Sequence, residues 1–139
     1  MSFQEKSTWV MLTVIAAVYG WYFTSILGEI NSGVAVTAIA YKGAMLGTVV
    51  AVIVLAVTGT ILMTIASRGD HASDERDRDI NRFGEYIGGY VLAVGALAAL
   101  GLTMIELEHF WIANTILLTL VLSELVSGFT KALSYRRGF

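Results

Sequence analysis

The sequence contains no cysteine and no proline. Without cysteine the chain has no disulfide bond, no thiolate metal site and no redox thiol, so cysteine usage says nothing about its compartment. Without proline the commonest cause of a sharp kink is missing, which favours straight helices. Charge is also scarce, because only 14% of the 139 residues are charged, against about 25% in an average soluble domain. These proportions exclude an ordinary soluble globular protein.

What the chain has instead is long apolar runs, and 56% of its residues are hydrophobic. The runs predict four helices, at about residues 7–28, 44–67, 84–106 and 110–131. At 1.5 Å per residue, a helix of about 20 residues covers the roughly 30 Å hydrocarbon core of a bilayer. Backbone exposed to lipid must satisfy its own hydrogen bonds, so runs of this length are helices rather than barrel strands. The prediction is one all-α integral membrane domain over 1–139, a four-transmembrane-helix bundle.

The basic residues predict the orientation of this bundle. Eight of the nine lie before helix one, between helices two and three, or after helix four, and only Lys42 lies elsewhere. With four spans, those three regions fall on the same side of the membrane. Because basic residues are enriched in cytoplasmic loops, both termini are predicted to be cytoplasmic, in a bacterial inner (plasma) membrane.

The connection between helices one and two, residues 29–43, starts with an Asn31-Ser32-Gly33 turn signal. The apolar residues that follow are compatible with a helix. They either extend helix two beyond the bilayer or form a short interfacial segment, and the sequence leaves both open.

The most polar part of the chain is the charged segment 68–83, which contains S-D-E-R-D-R-D-I. Ser73 is a suitable N-cap, and acids in the first turn of a helix are favoured by its dipole. Acids and bases recur three and four residues apart, a spacing at which they pair along a helix surface. The segment therefore predicts that helix three begins near Ser73, continues to about Glu108 and projects beyond the bilayer at its start.

Two interpretations of this segment stay open. In the first, the charges are solvated and self-paired, and they only set the topology and begin the helix. In the second, they form a docking surface for a cytoplasmic protein or a neighbouring subunit. The partner-binding residues would then be Asp74, Glu75, Arg76, Arg78, Asp79 and Arg82.

Glu124 lies about seven residues inside the end of helix four, roughly 10 Å deep. A carboxylate at this depth is costly and is expected to face the bundle or a water pocket. Gly128 leaves room for water, and Lys131 follows two turns below on the same face. Glu124 is either a structural polar clamp or a relay for protons or cations. Its depth-matched polar partners are predicted to be Thr13, Thr60, Thr64 and Tyr90.

Helix three is rich in small residues, which let two helices approach closely when they recur four residues apart. The predicted packing positions are Gly84, Gly88, Gly95 and Ala99. They would pack against another helix of the same chain or form the seam of a homo-oligomer.

No pattern in the chain predicts catalysis, a cofactor or a metal site. There is no phosphate-binding glycine loop, no nucleophile elbow and no HExxH sequence. His109 is a single histidine on a short turn, and one histidine is too few donors to indicate a metal site. Basic residues are few and offset by acids, so direct nucleic-acid binding is not indicated. We expect a non-enzymatic protein without a cofactor.

Three short motifs resemble a family of small bacterial and archaeal four-helix membrane proteins of unknown function, which carry a D-E-R-D-like motif before the third helix. The motifs are S-D-E-R-D-R-D-I before a glycine-rich helix, then L-S-E-L-V, then Y-R-R-G. The resemblance covers about the second half of the chain, Ser73 to Phe139. Some similar proteins are encoded beside compact transcriptional regulators, which they are thought to hold or inhibit at the membrane. The resemblance therefore implies a protein partner for the cytoplasmic face.

The leading functional hypothesis is a small membrane protein that binds a cytoplasmic regulator or a larger membrane complex through the helix start at 73–83. One alternative is a small transporter or channel that uses Glu124. Another is a membrane scaffold that self-associates through helix three.

Overall fold

A computed structural model of the protein describes residues 3–66 and 75–137. The described chain is all-helical, with α1 at Phe3–Asn31, α2 at Tyr41–Ala66, α3 at Glu75–Met104 and α4 at His109–Arg137. Each helix is long and apolar enough to cross a membrane. The prediction of four such helices is therefore confirmed for the described residues.

Two of the helices end in the same hydrogen-bonded motif. At the end of α1 the Gly33 amide donates to the Ile30 carbonyl and the Val34 amide donates to the Glu29 carbonyl. Gly33 has φ of 84°, the left-handed conformation that this C-terminal motif requires. At the end of α3, Glu106 takes the equivalent position with φ of 54°, and the Leu107 amide donates to the Leu102 carbonyl. A glutamate therefore occupies a position in which glycine is favoured.

The helices pack in the order α2, α1, α4, α3, because the main contacts join α3 to α4, α4 to α1 and α1 to α2. On α1 the buried residues recur three or four positions apart, so they lie on one face of the helix. They form one apolar cluster with residues of α4 and of the α1–α2 connection. The members of the cluster are Ile15, Tyr19, Tyr22, Ile26, Ile39, Phe110, Leu117 and Val121.

A polar contact crosses the same interface. The hydroxyl of Tyr22, which is fully buried, donates to Oδ1 of Asn114 at 2.9 Å. The amide nitrogen of Asn114 donates in turn to the carbonyl of Phe110 at 2.9 Å. Both the oxygen and the nitrogen of the Asn114 side-chain amide are thus hydrogen-bonded, and the bond to Tyr22 fixes α1 against α4.

The small residues of α3 lie against α4. Gly84, Gly88, Gly95 and Ala99 are all buried. A Cβ on Gly88 would come within 2.8 Å of the Ser123 carbonyl oxygen, and one on Gly95 would collide with the Thr119 side chain. The absence of side chains at these positions therefore sets the close spacing of the α3–α4 hairpin.

α2 is the most exposed helix, and Thr48 is its one buried residue. Its contacts are made mainly with α1, where Met45, Val49 and Val52 pack against the apolar cluster. The rest of α2 presents apolar side chains outward, as expected for a helix surrounded by lipid.

The connection before α2 differs from a simple extension of that helix. α2 begins at Tyr41, and the residues before it form a turn in which the Ala38 amide donates to the Ala35 carbonyl. Ile39 is buried in the cluster, and the Tyr41 ring packs edge-on against Phe110 with centroids 5.1 Å apart. Burial of Ile39 folds this segment back onto the bundle, which a continuous helix would not do.

Candidate functional site

Two regions with polar side chains lie at the end of the bundle that carries both described termini, which we call the basic end. It is defined by Lys6, Arg76, Arg78, Arg82, Arg136 and Arg137. One region is the start of α3, and the other is a cavity between α1, α3 and α4.

The start of α3 has two different faces. Ile80 is completely buried and Gly84 is buried one turn later, so this face is anchored on the bundle. Asp77 is half-buried on the same side. α3 continues without a break from Glu75 to Met104, so the charged start and the apolar helix form one rod.

The other face of this start is exposed. Five of the predicted partner-binding residues are described, and all five side chains are exposed: Glu75, Arg76, Arg78, Asp79 and Arg82. Asp74, the sixth, and the predicted cap Ser73 lie outside the described residues. Phe83 and Tyr86 add exposed aromatic rings at the next turn. The start of α3 therefore displays both charges and aromatic surface.

An aromatic contact joins α1 to α4 at the basic end. The Arg136 guanidinium lies 5.3 Å from the ring centroid of Trp9, a cation–π distance. Phe129 meets the same indole edge-on, with centroids 6.4 Å apart. The indole N–H of Trp9 is buried and has no hydrogen-bond partner among the described residues.

The cavity has a volume of ≈ 190 Å³. Among the described residues, its charged ones are Glu124 and Lys131, both on α4. Its neutral polar residues come from three helices, and Met11, Leu12, Ile15 and Gly128 complete the wall. The neutral polar residues are Gln4, Ser7, Thr8, Asn81 and Ser127.

Within this cavity the two charged residues differ in their surroundings. The Lys131 Nζ lies 3.5 Å from Oε1 of Glu85 on α3, at the exposed rim. The stem of Lys131 crosses Gly84, where a Cβ would come within 2.5 Å of the lysine Cγ. The Glu124 side chain is exposed, and it has neither a hydrogen bond nor an ion pair with any residue that the structure describes.

The polar partners expected for Glu124 lie elsewhere. The Tyr90 hydroxyl shares a hydrogen bond of 2.5 Å with the Tyr86 hydroxyl, and both rings are exposed on α3. Thr60 and Thr13 donate within their own helices, to the carbonyls of Ala56 and Trp9. Thr64, on α2, is exposed. None of the four lines the Glu124 cavity.

The residues that do line the cavity were missed by the sequence reasoning on α1 and α3. Gln4, Ser7 and Thr8 recur three and four residues apart at the start of α1, and Met11, Leu12 and Ile15 continue the same face. Polar residues at that spacing share one face of a helix, and this pattern could have identified them as part of a polar wall. Asn81 lies inside the charged segment, where its amide is one polar residue among many and gave no signal.

The opposite end of the bundle holds a wider cavity of ≈ 530 Å³, lined by the α1–α2 connection and the start of α4. The charged or titratable residues that the described chain contributes to its wall are Tyr41, Lys42, Glu108 and His109. In the described part of the chain, no group of three or more histidine, cysteine or acidic side chains is placed to hold a metal ion.

Comparison of the chain with models of protein families, with curated protein sequences and with solved structures finds no match.

Proposed function

We propose that this chain is a non-enzymatic membrane protein that binds a protein partner through the exposed face at the start of α3. The basic end lies in the cytoplasm of a bacterial cell, and the partner is a cytoplasmic regulator or the cytoplasmic part of a membrane complex. The binding residues are Glu75, Arg76, Arg78, Asp79 and Arg82, with the undescribed Asp74 beside them.

The observation that carries this proposal is the two-sided start of α3. One side is anchored by Ile80 and Gly84, so the charged residues are held on a fixed helix and not on a loose loop. A preorganised surface loses less entropy on binding. Mixed charges beside exposed aromatic rings, here Phe83 and Tyr86, suit a protein partner, because charge gives specificity and aromatic rings give contact area.

A double charge reversal tests the proposal. Arg78→Glu with Arg82→Glu replaces attraction by repulsion, so the partner co-purified from native membranes is expected to fall by at least about five-fold. Lys6→Glu with Arg137→Glu is the matched control, because both residues are exposed at the same end of the bundle. Recovery is measured by affinity purification and quantitative mass spectrometry. Equal recovery in both variants, or a chain purified alone and monomeric, contradicts the proposal.

A second candidate function is transport of a proton or cation, and the cavity favours it. Glu124 is the cavity's one acid and has no partner in the described part of the chain. Under this candidate, Glu124→Gln stops flux in proteoliposomes while the Arg78 and Arg82 reversals leave it unchanged. Unchanged flux in Glu124→Gln excludes it.

Self-association through the small residues of α3 is not proposed. α4 of the same chain lies against Gly84, Gly88 and Gly95, so a second copy would have to displace it.

A further inference from the structure

The walls of the Glu124 cavity are rich in oxygen donors. Ser7, Thr8 and Ser127 contribute hydroxyl groups, and Gln4 and Asn81 contribute amide oxygens. With the Glu124 carboxylate these are hard ligands, the type preferred by alkali and alkaline-earth cations. Among the described residues no histidine lines the cavity, and the chain has no cysteine, so the described donors do not suit zinc or copper.

The charge of the cavity limits the occupant further. Glu124 is the one acid that the described residues contribute, and sites for divalent cations usually combine several carboxylates. Lys131 adds a positive charge to the wall, which disfavours a second strong charge nearby. One carboxylate among neutral oxygens matches a single positive charge.

The position of Lys131 bears on whether Glu124 is neutralised by this lysine or by a cation from solution. Glu124 and Lys131 are seven residues apart on α4, about 10 Å along the axis and on the same face. Extended side chains span that separation. Glu85 instead holds the Lys131 Nζ at 3.5 Å, at the rim, while its stem rests on Gly84. The lysine is therefore paired with Glu85, and it forms no ion pair with Glu124 in the described part of the chain.

We propose that the cavity binds one monovalent metal cation, of which Na⁺ is the representative, between Glu124 and the surrounding hydroxyl and amide oxygens, and that Glu85 keeps Lys131 out of this place. Lys131 is thus an internal competitor for the site, restrained by an ion pair with α3. The inference deepens the transport candidate, on which its biological use rests, and it is independent of the docking surface on α3.

Binding is measured by isothermal titration calorimetry of the purified full chain in detergent with NaCl, at constant ionic strength set by choline chloride. Glu124→Gln is expected to weaken Na⁺ binding at least about ten-fold, because it removes the charged ligand. Glu29→Gln is the matched control, since Glu29 is exposed at the opposite end of the bundle. No saturable Na⁺ binding, or equal binding in Glu124→Gln, overturns the proposal.

Two further variants test the role of Lys131 and move the affinity in opposite directions. Lys131→Met keeps the apolar stem over Gly84 and removes the competing charge, so Na⁺ binding is expected to tighten about five-fold. Glu85→Gln releases the lysine toward Glu124 and is expected to weaken binding by a similar factor. Changes of the same sign in both variants contradict the competitor role.

A chemical measurement separates a lost site from a misfolded chain. Carbodiimides modify accessible carboxyl groups, and mass spectrometry of the peptide containing Glu124 counts the adduct. Na⁺ is expected to slow the modification of Glu124 in the wild-type chain, whereas choline is not. Equal modification in the two salts overturns the proposal. This measurement reports occupancy of the site without requiring transport. If Na⁺ protects Glu124 but no flux is measured, the binding site stands and only the transport candidate is contradicted.

Discussion

The hydroxyl of Ser123 on α4 donates a hydrogen bond of 2.8 Å to the carbonyl oxygen of Gly88 on α3. The contact is buried, and it depends on a backbone that carries no side chain at that point. The spacing between α3 and α4 is therefore determined by glycine rather than by interlocking large side chains.

Replacing Gly88 by alanine is expected to lower the free energy of unfolding by about 1–3 kcal/mol, because the new methyl group forces the helices apart. Gly89 is the matched control, since nothing lies within 4 Å of a Cβ built there. Gly89→Ala should leave the free energy of unfolding unchanged or raise it by up to about 1 kcal/mol. Both are measured by SDS-induced unfolding in mixed micelles. Similar effects at the two positions would contradict the close packing.

Glu106→Gly is expected to stabilise the protein by about 0.5–1 kcal/mol, because a glycine adopts the left-handed conformation at the end of α3 with less strain. Gly33→Ala is the reverse change at the end of α1 and is expected to destabilise it by about 1 kcal/mol. The same unfolding assay compares the two. A destabilised Glu106→Gly variant would mean that the glutamate side chain contributes more than the strain it introduces.

Tyr22→Phe is expected to lower the free energy of unfolding by about 0.5–1.5 kcal/mol, since it removes the hydrogen bond to Asn114. Asn114→Ala should cost more, about 1–3 kcal/mol, because it leaves the buried hydroxyl unpaired. The double variant should cost less than the sum of the single ones. Strictly additive costs would show that the two side chains do not interact.

The proposed orientation predicts which ends of the helices are accessible from outside the cell. The chain has no cysteine, so single cysteines can be introduced without a background. A membrane-impermeant maleimide is expected to label Glu108→Cys in intact cells, and to label Arg137→Cys only after the membrane is opened. The inverse pattern would place the α3 docking surface outside and remove the cytoplasmic partner.

The spans could be predicted because the bilayer fixes the length of an apolar helix. The neighbour order could not, since residues such as Trp21, which is exposed, and Tyr22, which is buried, look alike in an apolar run. The turn at 36–38 was also hidden, because Ile39 is as compatible with a helix as with the buried position it takes. Gln4 and Thr8 line the Glu124 cavity because three helices pack together there. Estimating how deep Glu124 lies along α4 does not reveal which side chains of the other helices reach it.

The packing of α1 against α4 has a consequence for how the protein is made. If the helices span a bilayer as proposed, α1 enters it before α4 is made, because the acceptor for Tyr22 lies 92 residues further along the chain. Until α4 is made, the Tyr22 hydroxyl lacks this acceptor, which is unfavourable in apolar surroundings. A chain that stops before α4 therefore leaves the Tyr22 hydroxyl without the Asn114 acceptor, so an unfinished copy differs from a finished one at this buried polar group.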